Sequence, residues 1–180
     1  MIDPATERSV AVPASGDVVP IAVAVVLHEG RVLVGTRGQG GPLAGYAEFP
    51  GGKCQPGESP AACAVRECRE ESGLDVEVVG LLDERSWDYP HGRVQLHFFH
   101  CRLLAPPPAS RPSTAASAAI PASAAAAPVS GSFAWRELAA LRALQFPEAN
   151  HRAIELLLAE AQRLSETAIR QASSRSQESP

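Results

Sequence analysis

Short apolar stretches in the first half of the chain predict β-strands. Residues 21–27 are uniformly apolar and rich in β-branched side chains, which is typical of a strand buried on both faces. Glu29 and Gly30 predict a turn, and residues 31–34 predict a second strand after it. Residues 38–45 contain several glycines but lack the Gly-Lys-Ser/Thr ending of a phosphate-binding P-loop, so we expect a flexible connection there.

Three more strands are predicted farther along, at residues 76–82, 93–104 and 133–135. The strand at 93–104 has two alternating sets of side chains, which indicates that one face packs more deeply than the other. The sets are Val94, Leu96 and Phe98 against Gln95, His97 and Phe99.

Local signals also predict helices. Ser59 can cap a helix that starts at Pro60, and Gly73 can end it. Residues 136–144 predict a short helix, and residues 150–171 an amphipathic one. The apolar positions of the amphipathic helix are Ile154, Leu157, Leu158, Ala161 and Leu164.

Composition changes abruptly at residues 105–131, which are mostly Ala, Pro and Ser, with one charged residue, Arg111. Repeated prolines interrupt any helix there, so we expect a disordered insertion inside one domain. The expected organisation is a flexible segment at residues 1–19, an α/β domain at 20–164, and the end of the last helix with a loose tail at 165–180.

Charge and cysteine content narrow the function classes. A net charge of −4 gives no electrostatic footprint for duplex DNA or a membrane surface. The four cysteines lack paired CxxC spacing, so we interpret them as free thiols in a reducing compartment. Residues 1–20 contain Asp3 and Glu7 and do not resemble a secretion signal. These features predict a soluble, cytoplasmic protein.

The helix predicted after Ser59 carries a cluster of acids. At about 100° per residue, Glu67, Glu70 and Glu71 share an arc of roughly 100°, opposite the apolar side that can face a sheet. Carboxylates grouped in this way suit Mg²⁺, which prefers hard oxygen ligands together with substrate phosphates. A solvated acidic face is the alternative when these three residues are considered alone.

The surrounding residues decide between the two interpretations. They match the pattern Gly-x5-Glu-x7-Arg-Glu-U-x-Glu-Glu-x-Gly-U, in which U is a bulky aliphatic residue, so the chain resembles the Nudix hydrolases. The matching residues are Gly52, Glu58, Arg66, Glu67, Glu70, Glu71, Gly73 and Leu74. The one departure is Cys68, a small hydrophobe where the family usually has a bulkier aliphatic residue.

The resemblance implies a fold and a set of site residues. The fold would be an α/β/α sandwich with a central mixed sheet. Mg²⁺, or Mn²⁺ in its place, would be held by Glu67, Glu70, Glu71 and the Gly51 carbonyl, and Glu67 and Glu70 would carry catalysis. Arg66 would orient Glu67 through a charge-assisted bond, and Glu58 would support the loop and helix.

A wider resemblance, over residues 21–104 and 133–158, is to MutT-type enzymes, the 8-oxo-dGTP diphosphatases. It implies hydrolysis of 8-oxo-dGTP or a related nucleotide to the monophosphate and pyrophosphate, in sanitation of the nucleotide pool. The expected partner is the nucleotide itself, and neither a nucleic acid polymer nor a membrane is expected to bind. The substrate-binding residues would be Arg37, Glu48, Phe49, Lys53 and Asn150, with Asn150 recognising the base.

Several alternatives stay open from the sequence. Arg37 can be a surface charge, Asn150 a helix cap and Phe49 a core residue. The substrate can instead be CTP, another pyrimidine triphosphate or a nucleoside diphosphate derivative. A third possible function is that of a nucleotide sensor without catalytic activity.

The sequence also lacks one acid. MutT-like enzymes usually carry it just before the tryptophan of the last strand, and residues 132–134, which precede Trp135, read Ser-Phe-Ala. Glu67 or Glu70 would then act as the base, or Glu84 would reach the site, or turnover would be slow.

Overall fold

The computed structural model describes residues 18–40, 43–89, 92–104 and 129–175. The predicted flexible segment up to residue 17, residues 105–128 of the predicted insertion and residues 176–180 of the predicted tail lie outside those ranges. Residues 129–131, which we assigned to the insertion, belong to the folded domain, since Val129 packs on the core and the Ser130 N–H donates to the Ser72 carbonyl.

Seven strands and two helices make up the described domain. The strands are β1 (Val19–His28), β2 (Arg31–Thr36), β3 (Ala47–Glu48), β4 (Gly51–Lys53), β5 (Val76–Tyr89), β6 (Gly92–Leu103) and β7 (Ala134–Glu137). The helices are α1 (Pro60–Ser72) and α2 (His151–Arg175), and 3-10 turns span Leu138–Ala143 and Glu148–Asn150. No helix in these ranges is both long and apolar enough to cross a membrane.

The sheet is mixed, as expected. Its order is β3-β2-β1-β6-β5, with β4 pairing to β1 and β7 to β2. The β1–β6 pair is parallel and the other pairs are antiparallel. β1 lies at the centre, which explains its uniformly apolar sequence. It pairs with β4 near its start and with β2 near its end, so the two partners diverge on the same side of β1.

Two hydrophobic cores lie on the two faces of the sheet. Val94, Leu96 and Phe98 face the core covered by α2, where Leu157 packs, so the predicted alternation in β6 is confirmed. The other face packs against α1 through side chains such as Cys63 and Cys68. The single-domain α/β fold with layers on both sides of a mixed sheet is therefore confirmed.

The boundaries differ from the predictions in places where tertiary contacts decide them. β5 runs seven residues past residue 82, the predicted end, because irregularities between Val78 and Gly80 and between Leu81 and Asp83 keep it paired with β6. The helix predicted at 136–144 is instead strand to Glu137 followed by a 3-10 turn. β3 and β4 were not predicted, since β3 has only two residues and the glycines of β4, Gly51 and Gly52, have low strand propensity.

Candidate active site

Helix α1 presents its acids because its ends and its buried face are set by the sequence. Ser59 accepts a hydrogen bond from the Ala62 N–H at 3.2 Å, and Gly73 ends the helix with φ +75°. The buried side, which includes Cys63, Ala64 and Cys68, packs on the sheet. The opposite side carries the three glutamates of the motif.

Arg66 joins three of the motif's carboxylates. Its Nε and Nη2 atoms donate to the two oxygens of Glu58, both at 2.8 Å, which is a bidentate fork. Its Nη1 atom donates to Glu67 at 2.8 Å and to Glu70 at 3.2 Å. Glu58 also accepts the Gln55 N–H at 2.9 Å, so it ties the turn before α1 to the helix. One guanidinium thus holds the loop and two acids in place.

The two glycines of β4 let the strand and the acids of α1 approach closely. The Gly51 N–H donates to Glu71 Oε2 at 3.0 Å. A Cβ on Gly52 would overlap the Glu67 carboxylate, and one on Gly51 would collide with the Ala22 carbonyl of β1. Glycine is therefore needed here for space, and the result is a groove in which Glu67 and Glu71 lie against the backbone of β4.

We expect Gly52→Ala to reduce kcat/KM by about 10- to 100-fold, because the added methyl displaces the Glu67 carboxylate from its place over β4. Gly80→Ala on β5 is the matched control, since nothing lies within 4 Å of its Cβ position and its φ is ordinary. Steady-state kinetics and the thermal midpoint of both variants check this. Equal activity in the two variants would contradict the close packing of Gly52 against the Glu67 carboxylate.

The electrostatics show that the acids are crowded. Burial raises the pKa of Glu71, and the nearby carboxylates of Glu48 and Glu67 raise it further. Arg37 counters this, and it also pairs with Glu48 at 2.9 Å. The hydrogen bond from Arg66 lowers the pKa of Glu58 to about 2, so that group stays ionised. Glu58 and Glu71 belong to one motif, but their surroundings shift their pKa values in opposite directions.

The donor chemistry of this cluster fits a divalent cation. Glu67, Glu70, Glu71 and Glu48 supply hard oxygens, and a cation would relieve the repulsion that Glu48 and Glu67 exert on Glu71. Within the described ranges no three acids, histidines or cysteines already form a ready metal-binding group. Glu67 and Glu70 are bonded to Arg66 instead, and Glu71 to the Gly51 N–H, so these side chains would turn to bind a metal.

A cavity of about 670 Å³ lies on the α2 side of the sheet. Aromatic side chains contribute much of its wall, and the turn before α2 forms another part. Its lining residues are Leu43, Tyr46, Trp87, Tyr89, Leu144, Gln145, Phe146, Pro147, Glu148, Ala149 and His151. The volume lies within the range of about 300–1,000 Å³ that is usual for small-molecule sites.

Strand β3 connects this cavity to the acid cluster. Tyr46 lines the cavity, and Glu48, two residues farther along, acts electrostatically on Glu71. The Ala47 N–H donates to the Gln145 carbonyl at 2.8 Å, which fastens the 145–150 segment beside β3. The Arg37 N–H donates to the Tyr46 carbonyl at 2.9 Å, so Arg37 lies at the same junction.

The substrate-binding residues expected from the sequence are distributed unevenly. Arg37 and Glu48 pair at the junction of cavity and acids. Phe49 is buried and stacked on Phe146 with ring centroids 4.9 Å apart, so it supports the cavity wall and does not line it. Lys53 is exposed at the end of β4. Asn150 is half-buried, and the residues on both sides of it line the cavity while Asn150 does not.

Sequence reasoning missed several cavity residues. Trp87 and Tyr89 are two residues apart and lie on the same face of β5. That spacing was a usable signal once the strand was known to reach Tyr89. No local signal pointed to Tyr46 or His151, because the cavity wall forms from segments about a hundred residues apart.

The segment before β7 passes the end of α1 without an acid. The Glu71 carbonyl lies 3.0 Å from a Cβ placed on Gly131, and the Ser130 N–H donates to the Ser72 carbonyl. Ser130 and Gly131 therefore lie beside the end of α1, and residues 132–134, which follow them, contain no acid. Glu84, the more distant candidate, lies on β5 and accepts from the Gln95 amide at 3.0 Å.

Comparison with known proteins agrees with the fold and the motif. The NUDIX domain family pattern matches residues 18–153, so the chain belongs to the Nudix family. It is a hydrolase of phosphoric anhydrides and resembles the MutT-like members. Nudix hydrolases use divalent metal ions, in keeping with the donor chemistry of the acids.

Individual relatives show how far the likeness extends. The chain is 36% identical over 80 residues to an 8-oxo-dGTP diphosphatase of Proteus vulgaris, which covers 44% of this chain and 71% of that protein. It is 32% identical over 93 residues to the CTP pyrophosphohydrolase of Escherichia coli K12, covering 44% and 69%. A crystal structure of a MutT protein from Methanosarcina mazei Go1 superposes with a TM-score of 0.59 at 19% identity, covering 82% and 99%, and shows the fold alone.

Proposed function

We propose that the protein is a Mg²⁺-dependent nucleoside triphosphate pyrophosphohydrolase with 8-oxo-dGTP, or a closely related nucleotide, as its substrate. The observation that carries the proposal is the continuity between the acid cluster and the aromatic cavity through β3. An aromatic-lined cavity suits a nucleobase, and a neighbouring set of carboxylates suits a metal-bound polyphosphate. Such an enzyme would remove damaged nucleotides from the precursor pool.

The nucleotide would lie across the two parts of the site. The base would enter the cavity among Tyr46, Trp87 and Tyr89, where flat rings can pack on it. The phosphates would extend along β3 towards Arg37, whose guanidinium would bind a phosphate oxygen in place of Glu48. Asn150 would have to turn to contact the base, while Lys53 would act at longer range.

The reaction would be attack of water on a phosphorus atom of the triphosphate chain, with formation of one P–O bond and cleavage of the P–O bond to the bridging anhydride oxygen. The products are the nucleoside monophosphate and pyrophosphate. Mg²⁺ held by Glu67, Glu70, Glu71 and the Gly51 carbonyl would neutralise phosphate charge and help to activate the water. Arg66 would position Glu67 and Glu70 through its hydrogen bonds. The base would come from Glu67 or Glu70, since the segment before β7 supplies no acid.

Glu70 is the more accessible of these two candidate bases. Its side chain is 58% exposed and touches Arg66 at 3.2 Å, whereas Glu67 is 15% exposed and touches it at 2.8 Å. A base must exchange its proton with solvent between turnovers, which favours the exposed group.

A pyrimidine triphosphate is the second candidate substrate. The CTP pyrophosphohydrolase of Escherichia coli K12 is similar to the chain over much the same fraction as the 8-oxo-dGTP diphosphatase of Proteus vulgaris. Cavity volume does not distinguish the two, because a space that accepts a purine also accepts the smaller ring.

A nucleotide panel tests the proposal. We expect 8-oxo-dGTP to have the highest kcat/KM among 8-oxo-dGTP, dGTP, CTP and ADP-ribose, with pyrophosphate as the product and no turnover in EDTA. A preference for CTP would replace the substrate assignment and leave the pyrophosphohydrolase assignment in place. Release of orthophosphate from 8-oxo-dGTP would contradict the mechanism. Tight binding of a nucleotide without any turnover would favour the alternative function of a non-catalytic nucleotide sensor.

A further inference from the structure

Two cysteines lie together beneath the active-site motif. Successive residues of a strand alternate between its faces, so Cys54, which follows β4, lies on the same side as Gly52, the side that faces α1. Cys63 lies on the buried face of α1, and its thiol points to the Gly52 carbonyl at 3.6 Å. Cys54 packs against the core cluster that contains Cys63, and its thiol is near enough to raise the pKa of the Cys63 thiol.

The surroundings of the two thiols differ in a way that gives them different reactivity. Cys63 is fully buried, whereas Cys54 is half-buried beside an exposed turn, Gln55 to Gly57. Burial and the neighbouring Cys54 thiol together raise the pKa of Cys63 to about 12, so Cys63 is a poor first nucleophile. Cys54 is the thiol that a small oxidant from solvent meets first.

We propose that Cys54 and Cys63 form an oxidisable thiol pair that closes to a disulfide when a peroxide is present. The Cys54 thiolate attacks a peroxide oxygen, the O–O bond breaks, and Cys54 becomes a sulfenic acid with release of water. The Cys63 sulfur then attacks the Cys54 sulfur, and the hydroxyl leaves with the Cys63 proton as a second water. Two thiols are oxidised by two electrons and one peroxide is reduced to two waters.

The disulfide would act on the active site through Arg66. The Arg66 Nη2 atom that donates to Glu58 also lies 3.5 Å from the Cys63 sulfur and donates to the Lys53 carbonyl at 3.3 Å. A disulfide has an S–S distance of about 2.0 Å, much less than a non-bonded contact, and it removes the thiol that faces the Gly52 carbonyl. The first turns of α1 and β4 must shift relative to each other, and Arg66 shifts with them.

The test treats the full chain with hydrogen peroxide, blocks free thiols with iodoacetamide and digests with trypsin. Cleavage after Lys53 and Arg66 leaves both cysteines in the peptide 54–66. We expect that peptide about 2 Da lighter and unalkylated after oxidation, and hydrolysis of the best nucleotide substrate reduced about tenfold. Dithiothreitol should restore both. Cys68 and Cys101 fall in other peptides and, being fully buried, should stay reduced until the protein is unfolded.

Cys54→Ser is the matched variant, since serine is close to cysteine in size and shape but cannot form the bond. It should keep the basal activity and lose the sensitivity to peroxide. A mixed disulfide, a stable sulfenic or sulfinic acid at Cys54, or a disulfide without any change in turnover would each overturn the proposal. The mass of peptide 54–66 does not depend on the substrate, so a failed substrate assignment and a failed thiol pair are distinguishable.

Discussion

Glu67→Gln should reduce kcat by about 10²- to 10⁴-fold and leave the fold intact. The amide keeps the size of the side chain over Gly52 but loses the charge that a metal-bound polyphosphate requires. Glu71→Gln should give a loss of the same order, since its carboxylate lies against the Gly51 N–H in the same groove. Single-turnover kinetics over a range of Mg²⁺ concentrations, together with the thermal midpoint, measure both effects.

Two glutamates on β5 provide controls for these variants. Glu77→Gln removes an exposed carboxylate paired with Arg102 and should leave kcat within about twofold of the parent. Glu84→Gln should do the same if α1 supplies the base, and a large loss in this variant would move the base to β5. Full activity in both Glu67→Gln and Glu71→Gln would refute the site.

Arg66→Lys should reduce kcat/KM by about 10- to 100-fold and raise the Mg²⁺ concentration needed for half-maximal activity. A lysine keeps the positive charge but is a point donor, so it cannot form the fork to Glu58 and also reach Glu67 and Glu70. Arg69→Lys is the control on the same helix, because Arg69 is exposed and pairs with Asp75 at 3.3 Å. Equal losses in the two variants would contradict the role given to the fork.

The hydrogen bonds between Arg66 and Glu58 also make the stability of the fold depend on pH. Arg66 lowers the pKa of Glu58 from 4.5 to about 2, so the interaction stabilises the folded state fully above about pH 4.5 and is lost as the pH falls towards 2. Arg66→Lys should weaken this part of the acid dependence. Thermal midpoints of the parent and the variant between pH 2 and 6 check it, and parallel curves would contradict the account.

Much of the fold was predictable because it rests on local rules. The Ser59 cap, Pro60 and Gly73 delimit α1, and the apolar run in β1 predicts a central strand. The motif also predicted that Arg66 would bond to Glu67. Elements that depend on distant partners were predicted less well. β5 is longer than its apolar stretch because β6 pairs along all of it. β4 forms because its two glycines can approach β1 closely enough to pair with it.

The sequence by itself determined the family and the acid face of α1, since both depend on residue identity at short, fixed spacing. Only the tertiary structure decided which residues meet across the chain. It brought Tyr46 and Trp87 to the segment around Phe146 and so formed the cavity, and it placed Phe49 in the core. It also placed Cys54 on the core cluster that contains Cys63. The physical reason is that side-chain direction in a strand alternates, so which face a residue uses is settled by the register of its pairing.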